Sequence, residues 1–124
     1  MRVAGSGTDK RPSTEAVRAA VDRISRSKLF SKSRQLVRLL EYCVERTLEG
    51  QADRLKETVL GIEVFDRGAD FDPRIDPIVR VDARRLRRKL DQYYASEGEG
   101  GCLRIFFDSG GYAPRFVESA FSGA

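Results

Sequence analysis

Residues Pro77–Leu90 read PIVRVDARRLRRKL, and the order of charges in this stretch decides the fold. Six of its residues (Arg80, Arg84, Arg85, Arg87, Arg88 and Lys89) are basic and one, Asp82, is acidic. The whole chain has a net charge of only +4, so the remaining residues together carry −1. At roughly 100° per residue a helix puts Val79, Ala83, Leu86, Leu90 and Tyr93 on one face. Arg80, Val81, Arg84, Arg85 and Arg88 then sweep across the opposite face. A helix fixed to a core on one side and cationic on the other is suited to a polyanion. The acids needed for intrahelical pairing at three or four residues' spacing are scarce. Only Asp82, within reach of Arg85, and Asp91, within reach of Arg87 or Arg88, are so placed.

Upstream, the helix has a strong start signal. Asp76 is an N-cap acid, and Pro77 suits a first helical position, where no N–H is needed. The helix is predicted to run from 77 to about Ser96, where the glycines of EGEGG end it. Before it lies a loop, Asp66–Asp76, with Phe71 as its one large apolar anchor. The apolar spacing of Leu55, Val59 and Ile62 predicts a short helix over Leu55–Phe65, with Gly61 inside it. A glycine there costs roughly 1 kcal/mol of helix propensity, and a close helix crossing is the expected reason. A wide apolar surface over Leu36, Leu39, Leu40, Cys43, Val44 and Leu48 predicts a central helix. It would open at Ser31 or Ser33 and stop at a left-handed Gly50. The first helix is capped by Ser13 or Thr14 and runs to about Ser27.

Downstream, Leu103, Ile105 and Phe107 alternate with Arg104, Phe106 and Asp108 at the period of a strand. Ser109–Gly111 supply a turn, Tyr112–Val117 a return strand, and Pro114 marks that strand as an edge. The expectation is a mainly α domain with a small β-hairpin, the plan of a winged helix-turn-helix with three or four helices. It spans residues 13–118, between flexible tails at 1–12 and 119–124.

Composition narrows the function classes. The chain has 124 residues, 40% hydrophobic and 34% charged, which suits one compact soluble domain. No apolar run approaches the roughly 20 residues of a membrane span, and MRVAGSGTDKRPS lacks a secretory apolar region, so the expected location is the cytoplasm, with no membrane partner. The absence of histidine removes imidazole bases, Ser/His triads and His-containing metal sites. Cys43 and Cys102 have no metal-knuckle spacing and read as small buried residues. Asp66, Asp70, Asp72 and Asp76 do not match a calcium loop and read as caps and turns. The chain is therefore not expected to be an enzyme, and no catalytic residue, metal site or cofactor is assigned.

The residues also carry a resemblance. IVRVDARRLRRKL, followed by a hairpin ending in GGY, resembles the recognition helix and wing of OmpR/PhoB-type bacterial transcriptional regulators. LVRLLEYCVERTLEGQADRLKETVLGIEVF is similar to the helices before them. More closely, Val17–Phe116 resembles a bacterial winged-helix domain found ahead of longer signalling or repeat-containing chains. The signature residues are Glu57, Gly61, Glu63, Val64, Phe65 and Phe71–Val81. The resemblance implies a transcription-regulating, DNA-binding domain with Val81, Arg84 and Arg85 facing the major groove and Arg80 and Arg88 flanking them. Ser109 and Gly110 would be the wing's contacts. Two departures stand out: a helix begins this chain where the family has an N-terminal sheet, and Asp108 stands where the family often has a wing arginine. Asp108 would then either repel phosphates or close the turn through its backbone. The alternative is a protein-interaction module that uses the helix, or loop 66–76, against an acidic partner or RNA polymerase. Operator, effector and oligomeric state, a homodimer included, are not fixed by the sequence.

Overall fold

The computed structural model describes residues 12–98 and 103–118. Among the described residues four α-helices precede a two-stranded antiparallel sheet, the topology of a winged helix-turn-helix. They are α1 (Thr14–Arg26), α2 (Arg34–Leu48), α3 (Glu57–Glu63) and α4 (Ile78–Tyr94). A single 3-10 turn, Ala52–Arg54, leads into α3, and the hairpin pairs β1 (Leu103–Phe107) with β2 (Pro114–Glu118). Both sequence-assigned tails fall mainly on residues 1–11 and 119–124, and Cys102 on 99–102, all outside the described residues.

Each boundary has a local cause. Ser13 caps α1, its hydroxyl accepting from the Ala16 N–H at 3.0 Å. Gly50 ends α2 at φ 79°, with its N–H donating to the Thr47 carbonyl and that of Gln51 to the Arg46 carbonyl. That paired bonding satisfies carbonyls the helix leaves open. Asp66 performs the same stop after α3 at φ 58°, a left-handed value that aspartate tolerates. The Arg67 N–H beyond it reaches back to the Gly61 carbonyl at 3.0 Å.

The apolar faces converge as the spacing requires. Val17, Val21 and Ile24 of α1, Leu39, Leu40, Cys43 and Val44 of α2, and Leu60 of α3 are buried around α4's Val79, Ala83, Leu86, Leu90 and Tyr93. Burial pushes the Cys43 thiol up to about 12, leaving it an unreactive packing residue. Leu103 and Ile105 of β1 close the core from the hairpin side.

Several expectations need correction. Pro77, not Asp76, is the N-cap of α4: its carbonyl accepts the first helical bond, from the Val81 N–H at 3.0 Å. Asp76 still satisfies an orphan donor, since its Oδ1 accepts from the Ile78 N–H at 3.1 Å. α4 ends at Tyr94 rather than Ser96. The return strand begins at Pro114, opposite Phe107, rather than at Tyr112. Ser33 precedes α2 without a side-chain cap.

The reason for Gly61 also differs from the expected helix crossing. A Cβ at Gly61 would collide with the ring of Phe71, whose Cδ2 and Cζ would both lie 2.6 Å away. The glycine is a seat for the aromatic anchor of loop 66–76. Gly61→Ala should therefore lower stability by about 1–3 kcal/mol through overpacking, although helix propensity alone favours alanine by about 1 kcal/mol. A thermal melt decides the sign, and a raised midpoint in the alanine variant would remove Phe71 as the constraint.

Candidate nucleic-acid interface

The outward face of α4 carries its cations as a continuous arc between two grooves. On one flank Arg80, Arg84 and Arg87 line a groove of about 270 Å³ together with Gly110, Gly111 and Tyr112 of the hairpin turn. On the other flank Arg85, Arg88 and Lys89 line a larger groove of about 440 Å³. Arg84, Arg85 and Arg88 are exposed, while Val81 is half-buried among them. The sequence-assigned residues of α4 thus share one surface, and Gly110 joins it across the fold. Ser109, beside it, is exposed at the turn but does not line either groove.

The arginines divide by what holds them. Arg80 is engaged inside the molecule: Nη1 donates to Glu57 Oε2 at 2.8 Å and Nη2 to the Pro73 carbonyl at 3.0 Å. It joins the first turn of α3 and the loop to the start of α4. Arg85 reaches Asp82 at 3.4 Å, as the spacing suggested. Among the described residues Arg84 and Arg88 make no hydrogen bond or ion pair, and Asp91 pairs with neither Arg87 nor Arg88. These guanidiniums remain available to an external anion.

Asp82 lines the larger groove beside Arg85, yet it is almost wholly hidden from water. It is 4% exposed. Loss of water raises its carboxyl above the ordinary value, against a smaller opposing pull from Arg85.

The wing position of Asp108 has an explanation that neither expectation supplied. Its carboxylate accepts from Arg115 Nε at 2.9 Å and Nη2 at 3.0 Å across the hairpin. This holds the Asp108 carboxyl below its usual range. The Arg115 guanidinium also lies 5.6 Å from the Phe106 ring centre. Arg115 is therefore matched by an acid of the hairpin itself, and the second hairpin arginine, Arg104, lies 5.2 Å from the Tyr94 ring centre. Gly110 takes φ 89°, so the tip needs glycine for the turn itself.

Three of the four acids of loop 66–76 are likewise matched. Asp66 pairs with Arg38 at 3.3 Å, Asp76 with Arg67 at 2.7 Å, and Asp72 with Arg74 through both oxygens. Among the described residues no group of three His, Cys, Asp or Glu could hold a metal ion, and no helix is long and apolar enough to cross a membrane.

Sequence reasoning missed Arg87, Tyr112, Lys32 and Arg34 as groove residues. Arg87 was recognisable from its position beside Arg80 on the helical wheel. The other three are remote in sequence, and only the packing brings them to α4. No protein-family model, curated protein or solved structure matches the chain. The winged-helix architecture therefore rests on the chain's own geometry.

Asp82 generates a pH test. A carboxyl raised on folding binds its proton more tightly in the native state, so its contribution to stability falls as pH rises through that window. Asp82→Asn removes the charge, so its thermal midpoint should exceed the parent's at pH 7. The gain should vanish in acid, below the ordinary carboxylate value, where Asp82 is protonated whether folded or not. A variant less stable than the parent at pH 7 would mean that the Arg85 contact outweighs desolvation.

Proposed function

We propose that this chain is a DNA-binding domain of a bacterial transcriptional regulator, acting in the cytoplasm and placing α4 in the major groove of duplex DNA. The observation that carries this reading is the arc of cations on the exposed side of α4, with Arg84 and Arg88 lacking partners among the described residues. A B-form major groove is about 12 Å wide and admits one helix. An exposed arginine there donates to guanine O6 and N7 or grips phosphate. Half-buried Val81 offers an apolar edge to a thymine methyl. The motif resemblance to OmpR/PhoB-type domains supports the same assignment. Arg80 has a smaller part in this reading than its sequence position suggests, because Glu57 and Pro73 occupy its Nη atoms. Ser109 and Gly110 approach the backbone from the hairpin tip, and the wing contributes little net charge.

The interaction-module reading is favoured by one observation: Ile75, on loop 66–76, is 81% exposed. A large apolar side chain held out on a loop is a natural protein contact. The loop adjoins the outer face of α4 through the Arg80–Pro73 hydrogen bond, and an acidic protein or RNA polymerase is the partner in this reading.

Titration against random duplex DNA at several salt concentrations tests the main reading. Neutralising about four phosphates gives a slope of log K against log salt near about −3.6. Arg84→Ala combined with Arg88→Ala should remove most of the binding while the thermal midpoint stays nearly constant. No binding at low salt, or binding indifferent to salt, would leave the interaction module as the function.

A further inference from the structure

We infer that the groove between the start of α2 and the outer flank of α4 is a second phosphate clamp, gripping the DNA backbone on the side of α4 opposite the wing. It rests on the DNA-binding reading and adds residues from outside the helix-turn-helix and hairpin. The groove has about 440 Å³ of space and is lined by Lys32, Arg34, Arg85, Arg88 and Lys89, with Asp82 as the only carboxylate. Two separate elements supply these cations: Lys32 and Arg34 from the entry to α2, the other three from α4. Lys32, Arg34, Arg85 and Arg88 are exposed. Lys32, Arg34, Arg88 and Lys89 have no ion pair among the described residues. Asp82 does not cancel them, because it is buried and already faces Arg85.

Surface cations repel one another and gain nothing from convergence unless an anion sits among them. α4 alone accounts for three of the five. The arrival of Lys32 and Arg34 beside them is set by the packing of Leu36, Leu39 and Leu40 into the core, which fixes where α2 begins. The long chain of arginine and lysine lets these groups follow a backbone phosphate without close shape complementarity, as the shallow form of the groove requires. The location fits DNA rather than a small anion. A helix lying in a major groove has a sugar-phosphate strand on each side, and this groove runs along one side from Asp82 to Gln92. On the other side Arg87 and the main chain at Gly110 and Gly111 face the second strand. The domain's grip is then two-sided, with the unpaired Arg88 on the clamp side and Arg84 on the hairpin side.

The test is a Lys32→Ala, Arg34→Ala double variant titrated with random duplex DNA beside the parent chain. Its control is Arg23→Ala with Arg26→Ala, which removes the same charge from α1 outside the groove. Expected are an affinity about tenfold or more lower at low salt and a salt slope shallower by about 1.8, the value of two lost contacts. The control variant should stay close to the parent, and circular dichroism and thermal melting should show both variants folded. Equal losses in the two variants would reduce the effect to net charge and overturn the clamp. Unchanged affinity and slope in Lys32→Ala, Arg34→Ala, with the parent binding normally, would overturn the clamp and leave α4 as the binding element. A parent chain that does not bind duplex DNA overturns the clamp and the DNA-binding reading together. Inorganic phosphate at millimolar concentration serves as the remaining arm: if it chemically shifts the groove residues in an NMR titration while DNA leaves them unmoved, the site belongs to a free anion and the backbone assignment fails.

Discussion

A helix that carries six cations within fourteen residues stays folded only because its other face is entirely committed to the core. In α4 the like-charged neighbours Arg80 and Arg84, Arg84 and Arg88, and Arg85 and Lys89 each cost a few tenths of a kcal/mol, about 0.2–0.5. Burial of Leu86 and Leu90, which are 1% and 3% exposed, contributes about 1.5–3 kcal/mol each. The apolar term wins by a margin that tolerates the charge. That imbalance also explains why the cations need no acids woven between them. Local neutrality, the usual way to stabilise an exposed helix, is unnecessary where α1, α2, α3 and β1 hold the helix from behind.

The same buried face sets where the hairpin goes. Tyr94 closes α4 and its hydroxyl accepts from the Ile105 N–H at 2.8 Å, so a side chain of the helix satisfies a strand donor. Tyr93 meets Phe30 edge-on at 6.4 Å and Tyr94 at 5.1 Å, and Tyr94 meets Phe106 at 6.0 Å. These rings link the connection after α1, the end of α4 and the first strand. At that end Glu97 accepts from the Lys28 and Leu29 N–H groups at 2.9 and 3.1 Å, tying the same connection down again. The hairpin tip consequently arrives beside Arg84 and Arg87 rather than swinging free. Its groove is a product of aromatic packing at the other end of the helix.

Much of this was legible in the sequence, for a physical reason. Helix faces, caps and strands depend on residues within a few positions of each other, so the two faces of α4, the Ser13 cap, the Gly50 stop and the pairing hairpin follow from spacing. Gly61 was legible as an anomaly but not as a seat for Phe71, because the partner lies on a loop whose path the spacing does not fix. The reach of Asp82 to Arg85 was legible from their spacing, but its burial was not. A helical wheel places it near the edge of the apolar face, but only the arrival of α2 decides which side of that edge is dry. Arg80 looked like its neighbours until Glu57 and the Pro73 carbonyl came within reach. Lys32 and Arg34 carried no local signal at all, since a KSR sequence before a helix is ordinary.

The distribution of acids completes the electrostatic argument. Outside α4's core stretch the chain is close to neutral, and several of its acids are matched by a cation at close range. Asp66, Asp72 and Asp76 are matched to Arg38, Arg74 and Arg67, Asp108 to Arg115, and Glu45 to Arg18. Pairs this exposed contribute little to stability, about 0–1 kcal/mol each. Their larger effect is on the field. An acid fixed beside its own cation at about 3 Å projects only a dipole, which falls off faster with distance than a charge, and salt screens what remains within about 10 Å. The paired acids of the loop and the hairpin are thereby muted, whereas Arg84, Arg88 and Lys89 of α4 and Lys32 and Arg34 at its flank have no ion pair among the described residues. Removing one of those surface pairs should matter less for folding than for how sharply an approaching polyanion distinguishes α4 from the rest of the surface.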